Sequence, residues 1–170
     1  MLAQLSVTYL LAFLVMNRKW WTQLGFSFAL LLGTELIYRL FWVDGYTKPF
    51  EPDHNFGAWV DQMIAGELSG GHWVSFNAIP TAAHTIWGSL AGQLLMSGKS
   101  WPRKVGILAG CGAAAVLAGY GLDLVTPVIK RIATGSFVVM SGGWCLIGLA
   151  AAYWLVDVLK MRRQIGRAHV

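Results

Sequence analysis

The chain has 170 residues, a formal net charge of +5 and nine tryptophans, with 56% hydrophobic and only 12% charged residues and a mean hydropathy of +0.54. That balance excludes an ordinary soluble domain and makes the lipid bilayer the first partner. The cations lie in short clusters at the ends of apolar runs, not in a continuous stripe, which argues against a nucleic-acid partner and for a topological role.

Read in chain order, the pattern predicts an all-α polytopic bundle with five transmembrane helices. The first span, MLAQLSVTYLLAFLVM, covers residues 1–16 and is short. The second, TQLGFSFALLLGTELIYRLFWV, covers 22–43. A polar loop over 44–76 follows, too long for a plain connector. Within it, NFGAWVDQMIAGEL predicts an interfacial helix over the bundle mouth, capped by Asn55 and presenting Phe56, Val60, Met63 and Ile64 along one side. The third span is NAIPTAAHTIWGSLAGQLLM, residues 77–96; the fourth covers 105–125 and the fifth about 136–159. Residues 1–163 are read as one domain. Residues 164–170, ending in IGRAHV, read as a non-native tail that resembles a translated sequencing adapter, and the first span implies further membrane segments upstream.

Charge sets the orientation. Arg18, Lys19, Lys99, Arg103, Lys104, Lys160, Arg162 and Arg163 fall on one side, which the positive-inside rule makes cytoplasmic; the acidic 44–76 loop then faces the periplasm of a bacterial inner membrane. Trp20, Trp21, Trp42, Trp59, Trp73 and Trp101 fall near the expected interfaces, as an aromatic belt does. Cys111 and Cys145 each sit inside an apolar run and read as small buried hydrophobes.

On a 3.6-residue period Asn77, Thr81, His84, Gly88 and Gly92 share one face of the third span, polar above and small below. Gly88 and Gly92 suit a close helix contact, and Pro80 suits a first turn. An intramembrane imidazole is costly and seldom idle, which puts a working His84 ahead of a satisfied structural one. Glu35 and Arg39 stand four apart, either neutralising each other or holding a guanidinium toward a bound anion or sugar. Lys130 and Arg131 oppose the orientation rule; they either pair with Asp53 or Asp61 in the loop or meet an anionic ligand group. His54 and His72 match no zinc spacing, so no metal is expected.

Three blocks, PTAAHTIWGSLAGQLL, TPVIKRIATGSFVVMSGG and AAYWLVDVLK, resemble successive segments of the heparan-alpha-glucosaminide N-acetyltransferase-like membrane acyltransferases, in order and spacing from Leu2 to Arg163. The resemblance implies a larger bundle whose usual catalytic histidine lies upstream of Met1. It also implies transfer of an acetyl group from acetyl-coenzyme A to an amino sugar or glycan across the membrane, and it adds Lys130, Arg131 and Ser136 as candidate pocket residues. His84 is then the candidate catalytic base; Asn77, Thr81, Glu35, Arg39, Lys130, Arg131 and Ser136 are candidate substrate-binding residues. A homodimer is an admissible assembly. The rival reading is a multi-pass transporter of a small sugar or anion, since polar helix faces serve solute pathways equally well.

Overall fold

The fold is that of a computed structural model and describes residues 2–159. Among the described residues it is all-helical: α1 (Leu2–Met16), α2 (Trp20–Leu40), α3 (Phe56–Ala65), a 3₁₀ turn (Ser75–Asn77), α4 (Ala78–Met96), α5 (Trp101–Asp123) and α6 (Gly135–Tyr153), the last continued by a π turn (Trp154–Val158). The tail at 164–170 and the cations from Lys160 onward lie outside the described residues.

Of the five expected spans, two meet the length and apolarity of a membrane crossing, Trp101–Asp123 and Gly135–Val158. Length and composition therefore support two crossings, not five. The reason is local. α1 is only 15 residues long; α2 carries Gln23, Thr34, Glu35 and Arg39, and α4 carries Thr81, His84 and Gln93. Those polar groups lower the apolarity of helices that are otherwise 21 and 19 residues long.

α4 is the hub, packed by α1, α2 and α6, while α5 packs chiefly on α6. The small side chains of Ala82 and Ala83, both fully buried, let α4 sit close to its neighbours, and Ile86 fills the space beside Ala12 and Val15 of α1. Leu31, Ala83, Val138 and Val139 join α2, α4 and α6 in one apolar cluster. Across it Trp87 donates its indole N–H to the buried Ser27 hydroxyl at 2.8 Å, so the ring is both packed and hydrogen-bonded.

The close-packing glycines are not the expected pair. Nothing comes within reach of a methyl group built on Gly88 or Gly92, and Gly88 is exposed. The close approach lies between α5 and α6 instead. A Cβ on Gly143 would stand 2.7 Å from Gly112 O and Val116 N, and one on Gly112 would stand 2.8 Å from Gly143 O. One residue earlier, Gly142 faces α4, where a Cβ would strike the Trp87 ring at 2.6 Å. Successive residues point about 100° apart on a helix, so this glycine pair admits a different neighbour on each side.

Three helix ends are tied to side chains of neighbouring helices. Gln23 of α2 donates to Met16 O at 3.2 Å and Arg18 O at 2.9 Å, at the end of α1. Lys104 of α5 donates to Leu95 O of α4 at 2.7 Å. Arg39 of α2 donates to Val125 O, just past α5, at 2.9 Å. Each bond satisfies a terminal carbonyl that no intrahelical amide reaches.

The 44–76 loop packs as a lid over one end of the bundle. Asn55 caps α3 as expected, its side chain accepting from Ala58 N at 3.1 Å while its Nδ2 donates to Glu51 O at 2.7 Å. The seated face differs from the expected one. Gly57, Ala58 and Asp61 are buried and Phe56 meets Tyr38, Phe41 and Phe76 edge-on, whereas Met63 and Ile64 stay 68% and 79% exposed. Gly57 lets α3 approach, because a methyl there would collide with the Tyr38 hydroxyl and stand 2.8 Å from Val74. Gly57→Ala is therefore expected to destabilise the lid by about 2 kcal/mol, read as faster amide exchange over residues 56–65 with the bundle helices unaffected. The cysteines also differ from expectation: Cys111 and Cys145 are free and exposed on the outer faces of α5 and α6.

Candidate functional site

The sequence-derived candidates separate into three places. His84 sits on α4 against α6. Its Nε2 lies 2.9 Å from Val138 O and 3.2 Å from the Ser141 hydroxyl, and its ring meets Trp87 edge-on at 5.9 Å. A carbonyl only accepts, so Nε2 carries the proton and Nδ1 keeps the lone pair. Ser141 spends its own hydrogen on Phe137 O at 2.6 Å and receives from the histidine. Gly142 supplies the room, since a Cβ there would come 3.3 Å from the imidazole Cδ2.

Above His84 the same helix face carries Thr81 and Asn77. The Thr81 hydroxyl turns back to Asn77 O at 2.8 Å and Ala78 O at 3.2 Å, closing the first turn of α4. Asn77 is 4% exposed and donates through Nδ2 to Arg131 O at 3.3 Å, joining α4 to the 124–134 link. Its Oδ1 is buried without a partner. Seven residues separate Asn77 from His84, an axial distance of about 10 Å. The three thus form a descending file along one face, not a single cluster.

Glu35 and Arg39 make the expected pair, Nε to Oε1 at 2.6 Å, and a third member that the sequence did not announce. Thr126 donates to Glu35 Oε1 at 2.6 Å and accepts from Arg39 Nη2 at 2.9 Å, while the guanidinium also lies 5.1 Å from the Phe50 ring. The arginine is held by α2, the α5 end and the loop at once. Ser136 is equally engaged: its hydroxyl lies 3.1 Å from Thr134 Oγ1 and donates to Pro127 O at 3.2 Å, and Thr134 also holds Ile129 N at 3.0 Å. These bonds fold the 127–136 turn, where Ala133 takes a φ of 51°.

Lys130 and Arg131 occupy that turn, and neither has a carboxylate partner among the described residues. Asp53 pairs with His72 at 2.6 Å, and Asp61 accepts the Ser75 amide, so both acids named for the cations are committed elsewhere. Lys130 rests 5.7 Å from the Trp73 ring. Together with His72 and Asn55 the two cations line a half-open cleft of about 390 Å³, walled by Phe50 and Ile132. Cations and hydrogen-bond donors over apolar walls suit an anionic or hydroxyl-rich ligand. His84 lines neither this cleft nor the second cavity beside α1.

Sequence reasoning did not foresee His72 as a wall of the cleft. It adopts a φ of 57° and its acid partner Asp53 a φ of 60°, left-handed conformations that no local motif announces. No family model, curated protein or solved structure matches the chain.

Proposed function

We propose that the chain belongs to an integral-membrane acyltransferase that moves an acetyl group from acetyl-coenzyme A to an amino sugar or glycan held at the outer mouth of the bundle. The observation that carries this reading is the cleft beside the 44–76 loop in which Lys130 and Arg131 stand without acidic partners among the described residues. Cations kept on the side where the positive-inside rule disfavours them have a use there, and a glycan presents the hydroxyl and anionic groups they bind. The three sequence blocks that resemble membrane acyltransferases supply the reaction class.

In this reading all five long helices lie in the membrane, with the basic links cytoplasmic and the lid periplasmic. Support comes from the outer surfaces: Tyr9 and Phe13 of α1 are 66% and 65% exposed, and Leu32 and Ile37 of α2 are exposed as well, an apolar surface that belongs in lipid. Trp20, Trp21 and Trp101 are exposed at one level, Trp42 and Trp73 at the other, while Trp59 packs on Phe41 and Phe56.

His84 contributes through Nδ1, the nitrogen left with a lone pair. The acceptor amine attacks the thioester carbonyl, the C–S bond breaks, the amine proton passes to Nδ1 and then to the departing thiolate. Asn77 and Thr81 stand above the imidazole on the same face of α4, so this reading has the acceptor amine descend about 10 Å along that face to reach Nδ1.

The test uses membranes carrying the chain, labelled acetyl-coenzyme A and glucosamine. Label is expected in the sugar without net sugar flux; flux without acetylation would instead establish the transporter. His84→Ala is expected to lower kcat about tenfold or more with little change in KM. Paired Lys130→Ala and Arg131→Ala substitutions are expected to raise the acceptor KM about tenfold with kcat retained. Turnover indifferent to both changes removes these residues from the reaction.

A further inference from the structure

We propose that the cleft beside Lys130 and Arg131 binds a phosphate group, and that the turn carrying the two cations supplies main-chain donors as well as side chains. Five consecutive residues of the link, 128–132, line the cleft, so the turn itself forms one wall. No aspartate or glutamate is among the described residues that line it.

The hydrogen bonds of this turn are one-sided. Its carbonyls are consumed within the protein: Pro127 O accepts from the Thr134 hydroxyl at 2.8 Å, Ile129 O from the Thr134 amide and Lys130 O from the Ala133 amide at 3.2 Å each, and Arg131 O from Asn77 Nδ2 at 3.3 Å. The amides of Val128 and Ile129 are held by Asp123 and Thr134, but those of Lys130 and Arg131 have no acceptor among the described residues. Both residues are exposed, so these two successive N–H groups are open to an incoming acceptor. Ala133 closes the turn at a φ of 51°. Successive free amides in a turn that ends in the left-handed region make a concavity suited to an anion.

The side chains carry the same sign. The Arg131 guanidinium has no acid or carbonyl partner among the described residues. The Lys130 ammonium lies 5.7 Å from the Trp73 ring, which positions the charge without neutralising it. Asp53 accepts the Nδ1–H of His72 at 2.6 Å, so Nε2 is the ring nitrogen left without a partner among the described residues. Asn55 contributes wall alone, since its amide is spent on Ala58 N and Glu51 O. Two cationic side chains, a ring nitrogen and two main-chain amides exceed what the two oxygens of a planar carboxylate take up. A phosphate ester presents three oxygens and up to two charges. The inference deepens the reading of this cleft as the acceptor site and rests on it for the carrier, a phosphorylated sugar or a lipid headgroup; its test reads binding without turnover.

The whole chain in maltoside micelles is titrated with inorganic phosphate and with acetate at constant ionic strength. Phosphate binds, and acetate binds about tenfold more weakly. Arg131→Gln weakens phosphate about tenfold, and Arg131→Lys, which keeps the charge but not the fork, falls between. Lys130→Gln weakens it about threefold, with helical circular dichroism unchanged in each variant. Arg103→Gln, at the far end of α5, removes the same charge and leaves the affinity unaltered, which separates the cleft from net charge. Absence of phosphate binding, equal affinity for acetate, or binding indifferent to both Arg131→Gln and Lys130→Gln overturns the assignment. Phosphatidic acid added to the micelles, with diacylglycerol as control, identifies the source. Competition with inorganic phosphate assigns the site to a headgroup, and undiminished titration assigns it to a soluble phosphate ester, both in keeping with the phosphate reading. Phosphate binding without acetyl transfer removes the proposed reaction and keeps this site; acetyl transfer without phosphate binding does the reverse.

Discussion

Replacing Gly143 by alanine is expected to lower the stability of the bundle by about 3 kcal/mol, because the new methyl meets backbone atoms that cannot swing aside. Gly112 O and Val116 N lie 2.7 Å from its position, and Val116 Cγ2 lies 2.9 Å away. To relieve the contact α5 has to withdraw as a unit, and on withdrawing it loses its principal neighbour, α6. Gly112→Ala is expected to do the same from the other side, and Gly119→Ala likewise, since a methyl there meets the Met140 backbone at 2.8 Å. Gly110→Ala is the counter-case. Its site is open, so the variant is expected to match the parent or gain up to about 1 kcal/mol from helix propensity. Unfolding in mixed micelles, followed by far-ultraviolet circular dichroism, separates the two groups. Equal stabilities at positions 110 and 143 would mean that α5 and α6 do not pack at this distance.

Arg39→Ala is expected to destabilise the outer end of the bundle by about 2 kcal/mol. It leaves the Glu35 carboxylate, whose side chain is 20% exposed, facing only the Thr126 hydroxyl, and strips Val125 O of its donor. The distinguishing result comes from the pair. If the cost arises from a stranded charge, Arg39→Met combined with Glu35→Leu recovers most of the loss, whereas additive costs would show that the two side chains act independently. Thr126→Val, which removes only the hydroxyl that both partners share, is expected to cost about 1 kcal/mol in the same assay. The triad gives the ion pair its partners within the protein, whereas Lys130 and Arg131 have no carboxylate partner among the described residues.

The parts of this fold that were legible in the sequence are those set by local periodicity. The five long helices and the short helix in the loop fall where the apolar runs place them, with Asn55 at its cap and Pro80 in a first turn. What was not legible depends on which helices become neighbours. The spacing of Gly88 and Gly92 is a good contact motif, yet α4 turns Ala82, Ala83 and Ile86 inward, and the close contact passes to glycines in α5 and α6. For α3 the apolar stripe of Phe56, Val60, Met63 and Ile64 suggested one seated face; the aromatic rings of Phe41 and Phe76 hold Phe56 as that stripe implies, but Gly57, Ala58 and Asp61 take the buried side and Met63 and Ile64 stay exposed. The site follows the same division. Residue types in the file Asn77, Thr81, His84 could be aligned on one face from spacing alone. The carbonyls they bond, Arg131 O and Val138 O, belong to segments more than fifty positions away.

The side-chain ties at the ends of α1, α4 and α5 have a mechanical consequence. Apolar helix surfaces in lipid slide past one another at little cost, because any hydrocarbon neighbour serves as well as the next. A bond from Gln23, Lys104 or Arg39 to one particular terminal carbonyl removes that freedom and fixes how far each helix stands along its partner's axis. With the proposed spans placed in a bilayer thinner or thicker than their length, such a bundle is expected to tilt as one body, so the cleft of Lys130 and Arg131 keeps its shape.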